Sequence, residues 1–384
     1  MSEYKIVYSG IDTLDFAVRG AFPNDVLETL RNAREEAEKT EKDQPIKLGK
    51  SDVSFLVKPH GKRGGYKYVL VDGPTGAIYS VKANTDLDEW NLFISIRASR
   101  LLTYGYEKTK VWIFEKLEKI GFRTLEFSVN RIDFAIDVKT NGFELEHSKL
   151  ITPARAKVSS YLSNESDLDE SGNQIRSVVR AGRFESITVG KMPNRQVIIY
   201  DKRRAAIDQR QPWWFDAWKV DREDPSVQIW RVEIRAGRDA LAKKLLRRSF
   251  EACEAELPDF LKTALSEVRY TSRRDTSNVS RSLEHPLWSE VRKHAKNVLK
   301  KKEAPVLLER VLRIMRDQRR DIAIPQSFGN LINAMVLDGV NPIEISSSFP
   351  ELAYRYAEEY LSSISEPKLR AKAEETQQRL SMFC

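Results

Sequence analysis

Cysteine is nearly absent from this chain of 384 residues: Cys253 and Cys384 are the two present. Neither a disulfide framework nor a thiolate zinc site can be built from them, and such usage suits a reducing compartment, so a cytoplasmic location is expected. Histidine is almost as scarce. His60, His147, His285 and His294 stand too far apart in sequence to suggest a pair of metal ligands, which argues against zinc or other histidine-pair metal chemistry. No uninterrupted apolar run approaches the roughly 20 residues that span a bilayer. The opening MSEYKIVYSG has no apolar signal core, so no membrane partner and no export by that route are expected. A GxxxxGK[ST] phosphate loop is also missing, which excludes a built-in ATPase of that type.

What is present is enough apolar residue, 41%, for a real core, in a length that suits two domains or one large domain with an appendage. The charge balance is +8, from 64 Lys and Arg against 56 Asp and Glu. Most of that excess is local: residues 291 to 320 hold eleven Lys and Arg against three acids. A helix so rich in like charges is costly unless a polyanion neutralises it, so DNA contact is expected there, with Lys300, Lys301 and Lys302 at its centre.

Along the chain, GIDTLDFAVRG (10 to 20) alternates like a strand, and an amphipathic helix follows through Val26, Leu27, Leu30, Ala33 and Ala37. Strands are expected at 52 to 58, 66 to 73, 76 to 83 and 91 to 98, a small antiparallel meander with a turn at Asp72–Gly76. Next come a helix from about Lys108 to Ile120, a long strand from Arg123 to Lys139, a helix around 153 to 163 and an acidic loop. A hairpin (178 to 190, then Arg195 to Tyr200, turning at Lys191–Asn194), a short helix, a strand at 226 to 236 and helices to 268 complete this part. Beyond Arg273 strands are expected to stop, which places a domain boundary near 275. GIDTLDFAVRG also echoes NRIDFAIDVKTNG (130 to 142), as a duplicated core would.

The stretches NRIDFAID (130 to 137) and WRVEIR (230 to 235) carry the candidate chemistry. Alternation puts Arg131, Asp133 and Asp137 on one face of their strand, and Arg231, Glu233 and Arg235 on one face of theirs, with apolar backs. Two readings are open from spacing alone. The three acids could hold a hard divalent ion, Mg²⁺ or Mn²⁺, against a phosphate, or they could pair with the arginines beside them. Tyr200, in VIIYDKRRA, is the candidate nucleophile: Lys202, Arg203 and Arg204 would lower its pKa and bind phosphates. The alternative is a packed strand-end tyrosine. Arg183, Lys191 and Arg195 on the preceding hairpin could hold a DNA backbone. Trp213, Trp214, Phe215 and Trp218 could stack unpaired bases or anchor their loop to the core.

In order and separation, NRIDFAID, FESITVGK, VIIYDKRRA and WRVEIRAG, with GIDTLDFAVRG ahead of them, resemble the replication initiation factor family, the rolling-circle Rep proteins of small plasmids and certain phages and related conjugative relaxases. The resemblance covers about residues 8 to 240. It implies a metal-dependent nick-and-join endonuclease in which Tyr200 becomes linked to a 5′ phosphate and Asp133, Asp137 and Glu233 hold the metal; from their positions beside these residues, Lys202 and Arg231 are expected to assist the chemistry. Arg131, Arg203, Arg204 and Arg235 would face the DNA, which must be single-stranded at the nick. The chain departs from the family after Gly190, at Lys191-Met192-Pro193-Asn194. The expected architecture is α+β: residues 1 to 275 form an antiparallel sheet with helices on one face, and 276 to 384 a helical, basic DNA-binding domain. A relaxase at a transfer origin and a DNA-binding repressor or copy-number regulator are the alternatives. A host helicase and a second copy of the chain are the further partners considered.

Overall fold

The computed structural model describes residues 4–49, 53–153, 158–159, 179–180, 183–184, 186–244, 248–275, 278–295 and 306–380. The chain begins with strand β1 (Lys5–Ala21), helix α1 (Asn24–Thr40) and strands β2 (Gln44–Leu48), β3 (Val53–Val57), β4 (Tyr66–Val71), β5 (Ala77–Lys82) and β6 (Leu92–Ile96). Helix α2 (Ala98–Lys119), kinked at Gly105, leads to β7 (Arg123–Thr140). Short strands β8 (Leu150–Ile151), β9 (Val158–Ser159), β10 (Val179–Arg180) and β11 (Arg183–Phe184) precede the hairpin of β12 (Ser186–Gly190) and β13 (Arg195–Asp201). Helices α3 (Lys202–Asp208) and α4 (Trp213–Trp218), strand β14 (Gln228–Gly237), helices α5 (Arg238–Lys244) and α6 (Phe250–Glu267), strands β15 (Arg269–Arg273) and β16 (Leu283–Glu284) and helix α7 (Pro286–Ala295) follow.

Among the described residues eleven strands form one sheet in the order β2-β3-β4-β5-β6-β1-β7-β14-β13-β12-β9, with antiparallel neighbours, while β10 pairs with β11 and β15 lies between β16 and β8. The expected meander is therefore one wing of a continuous sheet. It continues through β2, in a stretch whose polar composition reads as linker. The two sequence echoes are its central strands, β1 and β7, side by side and antiparallel. One sheet face is apolar: Leu14, Phe16, Phe134, Ile136, Val232 and Ile234 pack there with α1, α2, α5, α6 and α7 into one core. Burying such residues is worth about 1.5–3 kcal/mol each, so this face decides the orientation of every central strand.

Two boundaries differ from expectation. Val158–Ser159 pairs with β12 as a strand, inside the segment expected to be helical; most of that segment lies outside the described residues. The chain divides into compact units at Leu308, not near 275. Helix α7 belongs to the first unit because Leu287, Trp288 and Val291 are buried in its core, and β16 shows that strands continue past Arg273. The second unit, Glu309–Cys384, is helical: most of α8 (Leu308–Leu337), then α9 (Ile345–Ser363) and α10 (Glu366–Leu380). Among the described residues no helix is long and apolar enough to cross a membrane.

Candidate active site

The other face of the central strands is polar. Asp137 stands directly across from Arg231, and Asp133 from Arg235, on β7 and β14. Strand β13 adds Tyr200 opposite Arg231. Strand β1 contributes a residue that simple alternation misplaces. Its register with β7 slips between Ile11 and Thr13, which makes Asp12 the extra residue of a bulge and turns its side chain onto the polar face.

Arginines occupy the carboxylates. Arg231, fully buried, donates from Nε to Asp137 Oδ1 (2.6 Å), from Nη2 to Asp137 Oδ2 (2.9 Å) and from Nη1 to Asp12 Oδ1 (2.8 Å). Arg131 grips Asp133 through Nε (3.0 Å) and Nη2 (2.5 Å). Arg235 Nε donates to Glu233 Oε1 at 2.6 Å and lies 3.8 Å from Asp133 Oδ2. The pairing reading of these acids is thus the one realised, with a difference: the pairs are buried, not solvated.

Helix α4 covers one end. Trp214 lies 4.4 Å from the Arg231 guanidinium, stacks with Trp218 and meets the Tyr8 ring edge-on. Trp218 Nε1 donates to Asp137 Oδ2 at 2.7 Å. Trp214 and Trp218 are buried, so they roof the ion pairs, and of the two readings of these aromatics the anchoring one is realised rather than base stacking. Lys202 is buried as well, its ammonium 4.7 Å from the Trp214 ring and 5.9 Å from that of Tyr200.

Tyr200 sits at the margin of this roof, partly exposed, and its hydroxyl donates to Glu233 Oε2 at 3.1 Å. Its pKa moves opposite to expectation: burial and the nearby carboxylates push it well above the ordinary phenol value, with Arg231 opposing. The adjacent cations are spent elsewhere. Arg203 donates to the carbonyls of Arg222 and Asp224 (2.9 and 3.1 Å) and Arg204 pairs with Asp208 at 3.1 Å. Burial works to raise the Glu233 carboxyl, but Arg235 and Arg231 outweigh it and hold it below the usual range. At Asp133 burial outweighs Arg131 and Arg235 and the carboxyl is pushed up.

The acids expected to bind metal do not converge on one point. Asp133 and Glu233 share Arg235, Asp137 belongs to Arg231, and among the described residues no group of three or more His, Cys, Asp or Glu could hold a metal ion. With every carboxylate engaged by a guanidinium, this donor set does not fit Mg²⁺ or Mn²⁺. Of the expected DNA contacts, Arg131 and Arg235 lie at the end not roofed by α4, and Lys191 is exposed at the hairpin turn. Arg195 pairs with Glu267. Lys300, Lys301, Lys302 and the side chain of Arg183 lie outside the described residues. The turn after Gly190 packs on the end of β14: Asn194 O accepts from Gly237 N at 2.8 Å, and a Cβ on Gly237 would meet the Pro193 carbonyl at 2.2 Å. Asp12, Tyr8 and the Trp218 donor were not among the expected site residues. The echo of Ile11-Asp12 in Ile132-Asp133 was the available signal for the first.

No protein-family model matches the chain, and no curated protein matches it. Among solved structures it is similar to that of the rolling circle replication initiator protein from Geobacillus stearothermophilus, with 13% sequence identity and a TM-score of 0.40, over 78% of this chain and 99% of that one.

Proposed function

We propose that the chain is a rolling-circle replication initiator that nicks its DNA origin through Tyr200. The observation that carries this reading is the 3.1 Å hydrogen bond from the Tyr200 hydroxyl to Glu233, which lies within general-base distance of a nucleophile. A phenol whose pKa burial has raised is neutral near pH 7 and needs a proton acceptor at the moment of attack. In the proposed step Tyr200 Oη bonds to the phosphorus and its proton passes to Glu233. The bond from phosphorus to O3′ breaks, leaving a 5′-phosphotyrosine and, after protonation, a 3′-hydroxyl. Arg131 and Arg235 stand beside that carboxylate as the cations to meet the charge developing on the phosphate. Arg231, beneath Trp214, serves as a positioning residue for Tyr200 across the β13–β14 ladder.

A DNA-binding regulator without nuclease chemistry is the second reading, favoured by the arginine occupancy of all three expected metal ligands. Adduct formation separates the two. The parent chain should nick supercoiled plasmid carrying its origin and form a covalent adduct with a single-stranded origin oligonucleotide, mapped by mass spectrometry to the peptide containing Tyr200. Tyr200→Phe should bind the oligonucleotide with parental affinity, lose about 1 kcal/mol of stability at most and form no adduct. No adduct from the parent, with and without Mn²⁺, would leave the regulator reading; an adduct on another tyrosine would overturn the assignment to Tyr200.

A further inference from the structure

The polar face does not end at Arg131. Across the sheet, Arg131 of β7 lies opposite Asp15 of β1, and Asp15 opposite Ser95 of β6; two residues along β6, on the same face, is Phe93. Its ring centroid is 6.1 Å from that of Tyr66, on β4, at an interplanar angle of 53°. Lys62 holds its ammonium 5.2 Å from the Phe93 ring, and Lys82 holds its own 5.8 Å from the Tyr66 ring. All four side chains are partly exposed. The aromatics under α4 are sealed; these two are open to solvent at one edge.

We propose that Tyr66 and Phe93, with Lys62 and Lys82, form a binding platform for single-stranded DNA on the same sheet face as Tyr200. Two tilted rings with an ammonium at the rim of each suit a polymer that alternates flat bases with phosphates: bases stack on the rings while the lysines turn to the backbone. Acids lie near both platform lysines. Glu89 is 4.0 Å from Lys82 across a half-exposed gap, a loose surface pair that a phosphate readily displaces. Burial raises the Asp15 carboxyl, with Arg131 and, more weakly, Lys62 opposing. From the platform, charged side chains run towards the nucleophile without a break. Arg131 holds Asp133, Arg235 lies between Asp133 and Glu233, and Glu233 accepts the Tyr200 hydroxyl. The identity of the polymer rests on the initiator reading above; the surface itself does not.

The test is equilibrium binding by the full chain, without nicking. Fluorescence anisotropy would compare a labelled oligothymidylate, long enough for a site of about 16 nucleotides, with an abasic phosphodiester of the same length and an oligouridylate. The parent should prefer oligothymidylate to the abasic strand. The double variant Tyr66→Leu, Phe93→Leu keeps apolar bulk but no π face, and should bind oligothymidylate about tenfold more weakly while its affinity for the abasic strand stays unchanged. The double variant Lys62→Gln, Lys82→Gln should weaken both strands and lower the salt slope by about one to two units. Equal parental affinity for the thymidylate and abasic strands would overturn the proposal, as would a Leu variant within about twofold of the parent. Tighter binding of oligouridylate would overturn the assignment to DNA. A chain that shows this pattern yet nicks nothing refutes the nuclease reading alone, and one that nicks without it refutes the platform alone. Should the Leu variants fail to fold, photocrosslinking of the parent to an iodouracil oligonucleotide decides, with adducts expected on Tyr66 or Phe93.

Discussion

The two ends of the polar sheet face carry the same residue types on the same strands and differ in what lies above them. At one end Arg231 bridges Asp12 and Asp137 under Trp214 and Trp218. At the other, Arg131 and Arg235, their side chains 11% and 13% exposed, pair with the buried Asp133 and Glu233. Under the roof, losing either partner strands a fully buried charge; at the other end the arginines keep an edge in solvent from which a phosphate can be met. The roof thus sorts identical chemistry into a fixture and a candidate site, and Tyr200 lies where the two meet.

The largest effect expected from that difference is at Arg231. Arg231→Leu leaves Asp12 and Asp137 without their shared cation and should cost about 3–5 kcal/mol in urea unfolding. Arg235→Leu at the other end should cost less, about 1–3 kcal/mol, because Glu233 keeps the Tyr200 hydroxyl and Asp133 keeps Arg131 as donors. Equal losses would break the comparison. Next is the roof itself: Trp218→Phe keeps an aromatic ring but removes the donor to Asp137, and should cost about 1–3 kcal/mol, with little effect on DNA affinity.

A smaller effect is expected in the pH dependence of stability. Glu233 is held below its unfolded pKa by Arg235 and Arg231 against the pull of burial, so its contribution is complete above about pH 4.5 and is lost as pH falls through the folded value. Glu233→Gln should therefore flatten the decline of unfolding free energy on acidification below that point. Asp133 is displaced upward by burial and acts with the opposite sign: the folded state keeps its proton over a range where the unfolded chain has lost it. Asp133→Asn should remove a fall in stability as pH rises above about 4. Identical pH profiles for both variants and the parent would show that the open end is as fixed as the closed one. Smallest of all, Arg204→Ala removes an exposed pair with Asp208 on α3 and should change stability by less than about 0.5 kcal/mol.

Much of the fold is legible in residue order. The alternation of NRIDFAID and WRVEIR correctly assigns Arg131, Asp133, Asp137, Arg231, Glu233 and Arg235 to one face, because the apolar backs Phe134, Ile136, Val232 and Ile234 must be buried. The hairpin through Lys191–Asn194 and most strands of the first unit are legible for the same local reason. Asp12 escapes because a bulge changes parity only when β1 meets β7. The pKa of Tyr200 escapes because neighbours in sequence, Arg203 and Arg204, turn to partners of their own, while desolvation by the surrounding fold sets its value.

The sequence by itself determined which side chains share a face, since strand periodicity and the burial of apolar residues are properties of each segment. Only the tertiary structure decided what those side chains do to one another. Which acid an arginine reaches, and whether water reaches the pair, depend on register across four strands and on a six-residue helix folded over them. Electrostatic energies in a protein follow that burial and those distances far more than they follow order along the chain.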